Sequence, residues 1–260
     1  MDLGLTGRVA LVTGASKGIG RATALALAGE GMDVAIVARN REGLDKLRAE
    51  IDAKGRRALV HAGDLKAPAV AAAAIDATIR ELGRLDLLVN NVGATKGGNI
   101  LAFSDEDWLD GFQLKFFTAV RLSRLARPHL KATRGGIVNI AGVQARVGAI
   151  DFVAVGAVNA ALLLTTKALA DFGVTDGVRV NTINPGTIET GRRAARFERY
   201  VAAHKIAPEE AKKALLKEER VARFGLPEEV GTLVAMIASA PMDHLQGAII
   251  EFDGGKTRAL

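Results

Sequence analysis

The stretch RVALVTGASKGIGRATALALAGEG, from Arg8 to Gly31, decides the fold. It opens with an apolar run, Val9 to Thr13, that reads as a buried strand. It closes with an alanine- and leucine-rich run that reads as a helix ending at glycine. Between them lies TGASKGIG, with glycines at 14, 18 and 20. Glycines let backbone approach a diphosphate, and the helix N-terminus behind them favours negative charge. Glycine spacing alone is weak, because tight turns share it. The strand–turn–helix setting is what makes this a phosphate cradle.

The same alternation continues along the chain. DVAIVAR (Asp33 to Arg39), RALVHAGD, LDLLVNN (Leu85 to Asn91), GIVNIAG, VRVNTINPG and AIIEFDGG read as further strands. Helices are expected over REGLDKLRAEIDAKG, from Pro68 to Leu82, from Ser104 to about Arg127 before Pro128, from Val155 to Phe172, and from PEEV onward. Strands alternating with helices define an α/β fold, a doubly wound parallel sheet of about seven strands covered on both faces. No linker, repeat or low-complexity segment divides the chain, so residues 1–260 read as a single domain. Ligands in such folds sit at the carboxyl ends of the strands, where strand order reverses.

Composition excludes several function classes. The 260 residues contain no cysteine, which rules out disulfides, thiolate nucleophiles and cysteine-based metal sites. Four scattered histidines lack partners at ligand spacing, so no metal is expected. Net charge is +6, but cations and acids are interspersed, and nucleic acid binding is not expected. The N-terminal segment lacks the pattern of a signal peptide, and the apolar runs fall short of the ~20 residues of a membrane span. A cytoplasmic location without membrane attachment is the expectation.

The second strand ends in Val37, Ala38 and Arg39. A site that prefers NAD usually places an acid here for the ribose hydroxyls. Ala38 followed by a cation, with Lys17 in the nearby glycine loop, suits a 2′-phosphate instead. NADP(H) is therefore the expected cofactor.

With TGASKGIG, NNVG (Asn90 to Gly93), NPGTIET (Asn184 to Thr190), RFGLPEEV (Arg223 to Val230) and FDGG (Phe252 to Gly255) in order, the whole chain resembles the short-chain dehydrogenase/reductase family. The resemblance implies a single-domain Rossmann-type sheet of seven strands, a small-molecule substrate and a homodimer or homotetramer. It implies phosphate contacts at Gly14, Ser16, Lys17, Gly18 and Ile19, with Arg39 at the 2′-phosphate. Asp64 and Leu65 would lie by the adenine, and Asn91 and Gly93 by the ribose. Pro185, Gly186 and Ile188 would wall the nicotinamide.

The family's usual Asn-Ser-Tyr-Lys tetrad is absent. By local motif its positions hold Lys115, Gly142, Val155 and Asn159. Val155 and Gly142 offer no proton to the alkoxide that hydride transfer creates. Lys115 and Asn159 look like an exchange of the family's Asn and Lys, so Lys115 is the candidate replacement cation, with a pKa lowered by burial. Gln144 and Asp151 flank the missing serine and tyrosine and are weaker candidates.

Residues 188–224 match the family's substrate lid. Here they carry Arg192, Arg193, Arg196, Arg199, Lys212 and Lys213, a charge that would favour an anionic substrate. Three readings follow: an NADP(H)-dependent oxidoreductase with a non-standard proton path, a catalytically silent NADP(H)-binding sensor or oligomer partner, and a lyase or isomerase on the same scaffold.

Overall fold

The computed structural model describes residues 2–148 and 150–258. Among them, seven strands form one sheet. They are β1 (Val9–Thr13), β2 (Asp33–Ala38), β3 (Ala58–Ala62), β4 (Leu87–Asn90), β5 (Gly136–Ile140), β6 (Arg179–Pro185) and β7 (Ile249–Phe252). Their order is β3-β2-β1-β4-β5-β6-β7. Every pairing is parallel, with Leu11 beside Ala35 on one side and Leu88 on the other. The doubly wound, Rossmann-like sheet expected from the sequence is therefore present.

The continuous apolar runs reflect burial on both faces. Along β1, Ala10 and Val12 join one core with helices α1 (Gly18–Gly29), α2 (Arg41–Asp52) and α9 (Pro227–Ala238). Val9 and Leu11 point the other way, into a core with α3 (Pro68–Leu82), α5 (Thr118–Thr133) and α6 (Val153–Asp176). Side chains alternate along a strand, so a strand between two helix layers is apolar at every position. Leu11 and Leu88 are fully buried, each worth ~1.5–3 kcal/mol of transfer free energy.

Two helices differ from expectation. The helix opening at Ser104 divides into α4 (Asp105–Gly111), a wider π-type turn over Phe112–Phe117, and α5. Ser104 and Asp107 form the capping box that starts α4. Beyond the turn, α5 runs through Pro128 to Thr133 instead of stopping before it. Proline cannot donate to the carbonyl four residues earlier. Arg124, which carries that carbonyl, and Pro128 are both exposed, while Leu122, Ala126 and Leu130 bind the opposite face to the core.

Helix α6 is longer than the sequence suggested. Its length and mean hydropathy of 1.6 would allow a membrane crossing by composition alone. It is instead tied to the sheet: Thr166 Oγ1 accepts from Asn139 Nδ2 of β5 at 2.9 Å and lies 2.7 Å from the Thr182 hydroxyl of β6. Its outer face leaves Leu164, Phe172 and Val174 at 73%, 67% and 79% exposure. Exposed apolar side chains grouped on one helix mark a surface suited to a partner.

Candidate active site

A cavity of about 380 Å³ opens where β1 and β4 end, the point at which strand order reverses. The glycine loop builds one wall. Gly14 and Gly18 take φ of +65° and +58°, a region other residues enter with strain. A Cβ on Gly20 would lie 2.4 Å from the Gly14 carbonyl and 2.5 Å from Asn91 Nδ2, so only glycine lets the loop close. Thr13 Oγ1 accepts from the backbone N–H groups of Asn91 and Val92 at 2.9 and 3.0 Å. Asn91 Nδ2 donates back to the Thr13 carbonyl at 2.9 Å. The amide of Asn91 thus holds the loop against β4.

Gly14, Ser16, Lys17, Gly18 and Ile19 line this cavity together with Arg39, Asp64, Leu65, Asn91, Gly93 and Pro185. Gly186 and Ile188 do not. Gly186 lies against the backbone of Asp253, where a Cβ would come within 2.8 Å. Ile188 is 7% exposed, packs in the core and bridges to Gly225. The lining also includes Thr190, which closes the NPGTIET motif, and Arg192, one of the lid cations. Thr190 Oγ1 accepts from Arg193 N, starting α7 (Gly191–His204), and α8 (Pro208–Glu219) follows. Glu219, at the end of α8, receives the Thr187 hydroxyl and pairs with Lys256 at 3.1 Å, pinning this segment to the sheet. Lys17 and Arg39 make no ion pair among the described residues, whereas Arg41 is engaged by Asp45 at 2.9 Å.

Lys115 enters the cavity from the π-type turn. Such turns widen the backbone by one residue and re-aim the side chains they carry. Thr118 Oγ1 donates to the Gln113 carbonyl at 3.1 Å, filling part of the widened turn. The lysine chain then lies across Gly93, where a Cβ would meet its Cδ at 2.8 Å. Its Nζ donates to the Ala141 carbonyl at 2.8 Å. Burial first, and the Arg192 guanidinium second, pull the Lys115 pKa down from 10.5 to about 7. Arg192 reaches over from α7 to donate to the Gly93 carbonyl at 2.9 Å.

At the next residue the end of β5 meets Asn159. A side chain on Gly142 would put its Cβ 2.9 Å from Asn159 Nδ2 and 3.5 Å from Gln144 Oε1. Asn159 is 2% exposed, and its Oδ1 has no hydrogen-bond partner among the described residues. An orphaned buried oxygen is rare and calls for a donor the protein does not supply. The Gly142 N–H is already committed to Asn184 Oδ1 at 2.8 Å, and Asn184 Nδ2 in turn donates to Glu251 at 2.5 Å. Asn159 and Gln144 stand beside Gly142, and neither they nor Val155 belong to the cavity lining. Lys115 and Asn159 therefore reach consecutive positions after β5: Lys115 at Ala141 and Asn159 at Gly142. Asp151 accepts from Gly98 N through its carbonyl at 2.8 Å, a loop contact.

The chain belongs to the short-chain dehydrogenase family, whose model matches residues 8–200. It is 35% identical over 255 residues to an uncharacterised oxidoreductase of Mycobacterium tuberculosis, covering 97% of this chain and 93% of the other. It is 30% identical to a 3-oxoacyl-[acyl-carrier-protein] reductase of Vibrio cholerae, covering 97% and 98%. In three dimensions it is similar to L-sorbose reductase from Gluconobacter frateurii, solved with NADPH and L-sorbose. That similarity has a TM-score of 0.96, 30% identity and full coverage of both chains.

Proposed function

We propose that this protein is an NADP(H)-dependent oxidoreductase interconverting a carbonyl and an alcohol, with Lys115 supplying the proton that the family's tyrosine usually supplies. One observation carries the reading: the Lys115 amine stands on the cavity, at the strand end beside Gly142, with a pKa of about 7. A proton donor works best when its pKa lies near the working pH.

The cavity fits the cofactor in the glycine cradle and in Lys17 and Arg39, two lining cations suited to a 2′-phosphate. When bound, the nicotinamide gives or takes a hydride at the substrate carbon. The chain does the rest. The glycine loop and the α1 N-terminus hold the diphosphate. Leu114, Ile140 and Pro185 keep water from the reacting face. Lys115 Nζ holds a proton for the substrate oxygen, and as an ammonium it stabilises negative charge there. Asn159 keeps the Gly142 corner packed.

The chain works as one domain over 1–260, and residues 188–224, with α7 and α8, act as the substrate lid. Arg196, further along the lid, favours an anionic substrate. The exposed apolar stripe of α6 pairs copies of the chain into a homodimer or homotetramer in the cytoplasm. A second reading, a catalytically silent NADP(H) binder, is favoured by the apolar Val155 and the committed Gly142 N–H.

The test is NADPH consumption by the purified protein against a panel of aldehydes, ketones and 3-oxoacyl thioesters. Turnover that Lys115→Met lowers by roughly 10²–10⁴-fold supports the reading. NADPH binding without turnover across the panel would favour the silent binder instead.

A further inference from the structure

We propose that Arg192 couples cofactor binding to the loading of Lys115: it exchanges the Gly93 carbonyl for the cofactor's diphosphate, and its repulsion of the Lys115 ammonium then ends. The inference rests on the NADP(H) reading above and adds a positioning residue to it.

Arg192 is the second residue of α7. The start of that helix touches the glycine loop, for a Cβ on Gly18 would stand 3.3 Å from the Thr190 methyl. The guanidinium thus lies between the diphosphate cradle and Gly93, the residue over which the Lys115 chain is laid. Its one polar contact among the described residues is the neutral Gly93 carbonyl, at 2.9 Å. A phosphate carries a full opposite charge and accepts from a guanidinium in bidentate fashion, which a single neutral carbonyl does not, so a diphosphate outcompetes that carbonyl.

The neighbourhood of Lys115 makes the exchange consequential. From β5 it faces the Ala141 carbonyl, from the loop after β4 it faces Gly93, and from α7 it faces Arg192. The Asn159 amide of α6 lies one residue further, at Gly142, and is neutral. Lys17, Arg39 and Asp64 line the same cavity without shifting Lys115. Burial and Arg192 are the two influences that lower its pKa to about 7, and no carboxylate offsets them. Cancelling the Arg192 charge with a diphosphate raises that pKa, and Lys115 takes a proton from solvent. The acid is then charged when the hydride donor is in place.

The experiment is calorimetric titration of the full chain with NADPH at pH 7.5, in buffers of different ionisation enthalpy. The wild type should take up roughly half a proton more per site than Lys115→Met, which still binds NADPH. Arg192→Met should lose most of that linked uptake and bind NADPH about 10- to 100-fold more weakly. Arg192→Lys, which keeps the cation, should recover part of both. Equal uptake by wild type and Lys115→Met, or unchanged affinity in Arg192→Met, overturns the inference and leaves the cofactor reading standing. A wild type that binds no NADPH overturns the cofactor reading, and this inference with it.

Discussion

Replacing Lys115 by methionine should change how the stability of this protein responds to pH. In the folded chain burial and Arg192 hold the lysine pKa at about 7, against 10.5 for the ordinary side chain. Below pH 7 both folded and unfolded chains carry the proton, and the native state bears the full cost of a buried cation. Between 7 and 10.5 the unfolded chain binds more protons than the native one, so stability contributed by this group rises with pH. Two titration curves separated in this way give a gain of about 2 kcal/mol between pH 7 and pH 9. Methionine fills a similar volume and cannot titrate, so the variant lacks that rise. The assay is urea unfolding of both proteins at pH 6, 7, 8 and 9, read as the difference between them so that all other groups cancel. Parallel curves for wild type and Lys115→Met would refute the placement of a depressed lysine in this cavity.

Other perturbations test the remaining parts of the site. Arg39→Ala removes a cation that has no ion pair among the described residues, so it should weaken NADPH about 10- to 100-fold while leaving NADH nearly unchanged, measured by cofactor fluorescence. Gly142→Ser drives a Cβ against Asn159, which is buried and has little room to move; it should cost about 1–3 kcal/mol in urea unfolding, and adding Asn159→Ala should return part of that. Gly93→Ala meets only the flexible Lys115 chain, so the protein should fold with little loss. The amine should be displaced, which would appear as a shifted pH profile of NADPH oxidation. Leu164→Glu places a charge on the exposed stripe of α6 and should lower the molar mass seen by light scattering if that stripe joins copies of the chain.

Local rules carried most of the architecture. A strand buried on both faces is apolar at every residue, and Val9 to Thr13 shows it without a structure. The glycines at 14, 18 and 20 are demanded by backbone geometry within a few residues of one another, and their setting between a buried strand and a helix places the cradle. Arg39 follows directly from the end of β2. Departures came where distant parts of the chain set the outcome. The run past Pro128 depends on which face of α5 meets the core, and the split before it depends on a π-type turn that leaves no periodic signature.

The sequence by itself determined a doubly wound parallel sheet, a phosphate cradle at its first turn, and lysine, glycine, valine and asparagine at positions 115, 142, 155 and 159. Those features rest on hydrophobic period, glycine geometry and residue identity, all local. Only the tertiary structure decided which of those residues meet. Lys115 and Asn159 are 44 residues apart in sequence, yet they meet at Ala141 and Gly142 because α6 and the π-type turn both pack on the end of β5. Arg192 lies further still along the chain and bends the titration of Lys115 from across the cavity. Burial and proximity are properties of the packed chain, and they set the charge of that lysine.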